Sequence, residues 1–107
     1  MIANDLIGFP RRLLSVDLTS GKPTQERIGE EILLSYVGGR GLGAHLLRDR
    51  VPPGTDPYGE ENALLFLTGP LTGAPFPGAG KMVVVTKSPV SGGFCDSYSS
   101  GMLGPSL

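Results

Sequence analysis

The chain has 107 residues, with 9 Lys or Arg against 10 Asp or Glu and a net charge of −1. That length suits one domain burying roughly two thirds of its unfolded surface. The near-neutral balance excludes a general attraction to nucleic acid or to an anionic membrane. Its 17 glycines and 10 prolines punctuate apolar runs and form no low-complexity tract, which describes a loop-rich folded protein.

A single cysteine, Cys95, rules out an intrachain disulfide and any multi-cysteine metal site built by this chain alone. The longest unbroken apolar run, residues 63–67, is far too short to span a bilayer. No signal peptide is visible at the N-terminus. The expectation is a soluble, cytoplasmic protein.

In chain order, residues 11–28 (RRLLSVDLTSGKPTQERI) come first. Leu14, Val16 and Leu18 alternate with Leu13, Ser15 and Asp17, the period of a strand. A turn at residues 19–22 uses Gly21 for positive φ, and residues 24–28 return as a short polar strand near an edge. In GEEILLSYVGG the period changes. Ile32, Leu33, Tyr36 and Val37 share one helical face, Glu30 and Glu31 suit its first turn, and Gly38 or Gly39 suits its C-cap. A second helix is predicted from about Leu42 to Arg50, closed by Pro52, Pro53 and Gly54.

ALLFLTGP reads as a buried strand, and MVVVT, residues 82–86, as another rich in β-branched residues. Between them residues 69–81 form a loop with four glycines and three prolines. Residues 93–97 read as a further strand. Met102, Leu103 and Leu107 look like the opening of a buried segment. Strands on both sides of a helical segment predict an α+β fold, with an antiparallel or mixed sheet and one or two helices.

Residues 39–44, GRGLGA, match a dinucleotide-binding pattern by letter, but that pattern needs a buried strand before it, and here a helix precedes. A glycine-rich joint for close packing is the simpler reading. Gly80 and Lys81 fail the P-loop pattern, which Pro75 and Met82 interrupt; a lysine after a glycine loop can still hold a phosphate by charge. His45 has no second histidine or nearby cysteine and reads as a helix-surface or half-buried residue. Cys95 reads as a small buried apolar residue. Residues 96–101, DSYSSG, are small enough to leave amides free as an anion-binding nest, the alternative being a flexible terminus.

Taken together, GGRGL, GPLTG, TKSP and the final serine/glycine stretch, in this order and spacing, resemble the N-terminal domain of the tungsten-containing aldehyde ferredoxin oxidoreductase family. The likeness runs nearly end to end. It implies an enzyme that oxidises aldehydes to carboxylic acids and passes electrons to ferredoxin. Its tungstopterin has two pterins holding tungsten, with phosphates bridged by magnesium, and a 4Fe-4S cluster lies alongside. The N-terminal domain forms the base on which the pterins rest.

The resemblance places cofactor-binding positions at Lys81, Tyr98, Ser99, Ser100 and Gly101, with the Tyr98 backbone carbonyl toward magnesium, and no catalytic residue in this chain. Lys81 stands where the family commonly has arginine, and it keeps the charge without the planar fork. Tyr98 and Ser100 replace an asparagine and a glycine. The resemblance further implies that residues 1–107 are a partial N-terminal domain, truncated at its C-terminal end and inactive alone. Cluster ligands would come from the remaining domains of the full-length enzyme. Its partners would be those domains, ferredoxin and the aldehyde, with a homodimer left open. A free-standing, metal-free interaction module derived from such a domain is the alternative.

Overall fold

The computed structural model of the chain describes residues 11–107. Strands β1 (Arg12–Asp17) and β2 (Lys22–Arg27) pair antiparallel, from Arg12 opposite Arg27 to Asp17 opposite Lys22. Asp17 builds the turn between them. Its carboxylate accepts from the Thr19 N–H and the Ser20 hydroxyl, each at 2.9 Å, and its carbonyl accepts from the Gly21 N–H at 2.7 Å. Gly21 has φ +68°, a conformation that glycine adopts without steric cost.

The hairpin was legible, but its inward face was not. Leu13 packs against the core, which forces Leu14 and Val16 to the opposite, exposed face. Leu18 in the turn is 92% exposed.

Helix α1 (Glu30–Tyr36) carries Glu30 and Glu31 in its first turn and buries Leu33. It stops abruptly at Val37, whose φ of 65° and ψ of −54° form a γ-turn closed by the Gly38 N–H donating to the Tyr36 carbonyl at 2.7 Å. Helix α2 (Gly39–Arg50) begins directly afterwards, three residues before the predicted Leu42, because this tight turn needs no linker.

Strands β3 (Leu65–Thr68), β4 (Met82–Lys87) and β5 (Phe94–Ser99) form an antiparallel sheet in the order β3-β4-β5. The residues paired across it fix its two faces. Leu67 lies beside Val83 and Leu65 beside Val85, and this face is covered by Leu42, Leu46 and Leu47 of α2. Gly43 permits the contact: a Cβ there would fall 2.7 Å from Leu67 Cδ1 and 2.8 Å from Val85 Cγ2.

Phe66 lies on the face away from α2 and is exposed, so β3 is not buried on both sides, against the sequence expectation. The α+β class with antiparallel sheets holds; the sequence reading left out a third, four-residue helix, α3 (Leu103–Ser106). Its side chains are not the start of a buried layer among the described residues: Met102 is 77% exposed, and only Gly104 is buried.

Candidate cofactor platform

Antiparallel pairing brings Thr68 at the end of β3, Met82 at the start of β4 and Ser99 at the end of β5 into one row. Lys81 precedes Met82 and Ser100 follows Ser99, so both leave the sheet at this same end. The glycine loop of residues 69–81 connects β3 to β4 here. Thr72 stitches the loop's two ends together, its hydroxyl accepting from the Gly69 N–H at 3.0 Å and donating to the Lys81 carbonyl at 3.2 Å.

The backbones here are packed too closely for side chains. A Cβ on Gly80 would stand 2.5 Å from the Gly101 carbonyl oxygen, and one on Gly104 would stand 3.1 Å from the Gly80 carbonyl oxygen. A Cβ on Gly38 would be 3.0 Å from the Thr68 carbonyl oxygen. Three of the four sequence motifs therefore converge on one end of the sheet. The fourth, TKSP, lies at the other end, where buried Ser88 accepts from the Val90 and Ser91 amides in the turn before β5.

Lys81, Tyr98, Ser99, Ser100 and Gly101 are all exposed at or beside this end. Tyr98 is paired with Val83, so it lies on the helix-covered face, beyond the reach of that cover. Ser99 is paired with Met82 and lies on the opposite face. Residues 96–99 are extended strand, so they are not the anion-binding nest that their small side chains suggested; a nest needs successive amides turned to one side. Only Ser100 and Gly101, with φ +113° at the glycine, leave the strand. Because β5 is the sheet's edge among the described residues, the groups along its outer side have no ladder partner.

The sequence reading missed Arg40. From the first turn of α2 its Nε lies 3.6 Å from Asp96 Oδ2, and its guanidinium carbon lies 5.8 Å from the centre of the Phe94 ring. The alternation of Phe94, Asp96 and Tyr98 along one strand face was the available signal. The predicted strand stops at residue 97, short of Tyr98, so this row of side chains was cut before its third member.

His45 is structural. Its ring stacks on Tyr36 with centroids 4.6 Å apart, its Nε2 lies 3.2 Å from Asp49 Oδ2, and its Nδ1 lies 3.3 Å from Arg48 Nη2. The glycines of residues 39–44 are likewise used in packing. Gly41 lies under the Tyr36 carbonyl, and Gly43 lies on the sheet. Cys95 is half-buried on the face away from α2, less enclosed than expected.

Among the described residues no three His, Cys, Asp or Glu side chains are grouped to hold a metal ion. The donors at the platform are an ammonium, hydroxyls and edge-strand backbone. The ammonium, hydroxyls and free amides can donate to phosphate oxygens or the polar edge of a heterocycle, and a free carbonyl can accept or ligate a hard cation.

A family model described as "Aldehyde ferredoxin oxidoreductase, N-terminal domain" matches residues 13–107. The chain belongs to the aldehyde ferredoxin oxidoreductase N-terminal domain family. It is 38% identical over 102 residues to a tungsten-containing aldehyde ferredoxin oxidoreductase of Pyrococcus abyssi, covering 95% of this chain and 17% of that protein. It is 42% identical to the enzyme of the same name from Thermococcus kodakarensis, covering 90% and 16%.

An aliphatic sulfonate oxidoreductase, WOR-like subunit, of Pyrococcus furiosus is 46% identical, with coverages of 95% and 16%. Among solved structures, the active site complex BamBC of benzoyl coenzyme A reductase with 1,5 dienoyl-CoA superposes with a TM-score of 0.79 at 34% identity, covering 86% of this chain and 14% of that one. The chain thus spans about a sixth of the length of the curated relatives it matches, 16–17%. The antiparallel sheet and helix of this family domain are the scaffold on which the platform is built. No helix among the described residues is long and apolar enough to cross a membrane.

Proposed function

We propose that this chain is the first part of the tungstopterin-supporting base of a larger cytoplasmic oxidoreductase, one that oxidises aldehydes to carboxylic acids with ferredoxin as acceptor. One observation carries the reading. Lys81 and residues 98–101 lie at the same end of one sheet, beside the Gly80–Gly101 contact, where the two backbones are too close to admit a side chain on Gly80. Backbone that close-packed gives a flat, preorganised surface for a cofactor edge.

In this reading the Lys81 ammonium offsets phosphate charge, and the Ser99 and Ser100 hydroxyls donate to phosphate or pterin oxygens. The Tyr98 backbone carbonyl is the ligand offered to magnesium. When bound, the tungsten centre supplies the oxidation chemistry. This chain contributes binding and orientation and no proton-transfer group. The 4Fe-4S ligands and the opposite wall of the site belong to the remaining domains, which are its first partners, and the isolated chain is inactive.

The test is cofactor content in the full-length protein. Lys81→Ala is expected to lower tungsten and pterin per polypeptide at least several-fold, and Lys81→Arg to retain them. Unchanged content in Lys81→Ala would overturn the assignment.

The 46% identity to a sulfonate oxidoreductase subunit supports a second reading, in which the same platform serves a different substrate. Dye reduction by the full-length protein with an aldehyde and with an aliphatic sulfonate separates the two.

A further inference from the structure

We propose that Arg40 is a positioning residue for the platform: it clasps strand β5 from the helix side and cancels the charge of Asp96, so that the strand's end can receive an anion. The second half of this proposal rests on the anion-binding reading above; the clasp does not.

The case begins with what holds β5. As the sheet's edge it is hydrogen-bonded only to β4 among the described residues, and most of its side chains are exposed. The apolar seam of α2 lies over β3 and β4, where Gly43 meets Leu67 and Val85. Arg40, in the first turn of the same helix, reaches past that seam. Its two contacts, with the Phe94 ring and the Asp96 carboxylate, fall on alternate residues of one face of β5, with Tyr98 next in line. A cation between an aromatic face and a carboxylate grips a strand at two points, so it resists both lifting and sliding.

The charge balance is unequal. Asp96's side chain is 19% exposed and that of Arg40 is 62% exposed, so the carboxylate is the shielded partner. Without the guanidinium, Asp96 is an uncompensated charge in a partly dry setting. It also lies two residues from Tyr98, roughly 7 Å along the strand. That is within a Debye length of about 8 Å at physiological salt, so a bare Asp96 repels a phosphate arriving at the strand's end. Arg40 removes that repulsion while its Phe94 contact keeps the strand in place.

The test uses the full-length protein, prepared without cofactor, with Arg40→Ala, Arg40→Lys, Asp96→Ala and the double variant Arg40→Ala/Asp96→Ala. Amide hydrogen exchange reads the clasp. Arg40→Ala is expected to speed exchange in β5 about fivefold, leaving α2 amides of residues 46–50 unchanged, and Arg40→Lys to restore most of the protection. Unchanged β5 rates, or an equal rise in α2 marking general destabilisation, would overturn the clasp.

Amide-shift titration with inorganic pyrophosphate reads the charge effect. Arg40→Ala is expected to weaken binding about fivefold, and the double variant to recover to within about twofold of the parent. A double variant as weak as Arg40→Ala would overturn charge cancellation. A parent protein that does not bind pyrophosphate would overturn the anion-platform reading and this half of the proposal together, while the exchange result still decides the clasp.

Discussion

The β1–β2 hairpin and the β3-β4-β5 sheet are both antiparallel, but they are held in different ways. The sheet is fixed by apolar packing on one face, down to a glycine whose missing side chain admits Leu67 and Val85. The hairpin gives the core Leu13 and, just past β2, Ile28, and is otherwise held by polar contacts. Arg50 at the end of α2 reaches Glu26 with Nη2 2.6 Å from Oε2, and it donates to the Ser15 hydroxyl at 3.3 Å. Arg11 pairs with Glu30 at 3.0 Å across the exit from β2. A packed region resists through shape, whereas a charge-fixed region responds to pH and salt. The candidate platform lies at the end of the packed region, as a site that must hold its geometry requires.

The largest effect is expected at the packing contact. Gly43→Val drives a branched side chain into Leu67 and Val85 and should destabilise the chain by about 3 kcal/mol in chemical denaturation, the upper range for overpacking. A loss below about 1 kcal/mol would mean that α2 is not seated on the sheet as described. Val85→Ala, at a fully buried position, should cost about 2 kcal/mol.

Val37 comes next, with the opposite sign. Its positive φ is unfavourable for a β-branched residue, and its side chain is exposed, so Val37→Gly should raise stability by about 1 kcal/mol. A fall instead would show that Val37 packs in solution.

The smallest effects belong to the hairpin, and they depend on pH. The Arg50 hydrogen bond, helped by its charge, holds the Glu26 carboxyl below its ordinary value of 4.5. The Thr19 amide, followed by the Ser20 hydroxyl, holds Asp17 below its ordinary 3.8. A depressed carboxylate pKa contributes stability that is fully present above the unfolded value and is lost as pH falls through the folded one. Hairpin exchange protection should therefore be constant from neutral pH down to the ordinary carboxylate range and fall below it. Arg50→Ala should flatten the part of that loss due to Glu26, and an unchanged acid profile would contradict the Arg50–Glu26 link.

Element type was legible in the sequence wherever periodicity was undiluted. The hairpin, both longer helices and the three sheet strands appear in the predicted order, and the resemblance to the family domain rests on motifs that the fold gathers at the sheet's ends. What was not legible depended on tertiary cover. Which face of β1 points inward depends on Leu13 meeting the core, and alternation alone is symmetric between faces. The predicted strand ends at residue 97, two residues short of β5, because Ser97, Tyr98 and Ser99 carry no apolar pattern. Pairing with Val83 and Met82 makes them strand. Arg40 was invisible as a contact because its partners lie more than fifty residues away on β5. Lys81 and Ser100 were nominated by resemblance, and their shared sheet end follows from the β4–β5 register, which no local pattern specifies.

The most direct measurement is a crystal structure of the full-length protein with its cofactor in place. The account predicts the Lys81 ammonium within hydrogen-bond distance, about 3 Å, of a phosphate or pterin atom, with residues 98–101 against the same group. A cofactor seated elsewhere, with the Lys81 end of the sheet covered only by protein, would contradict it.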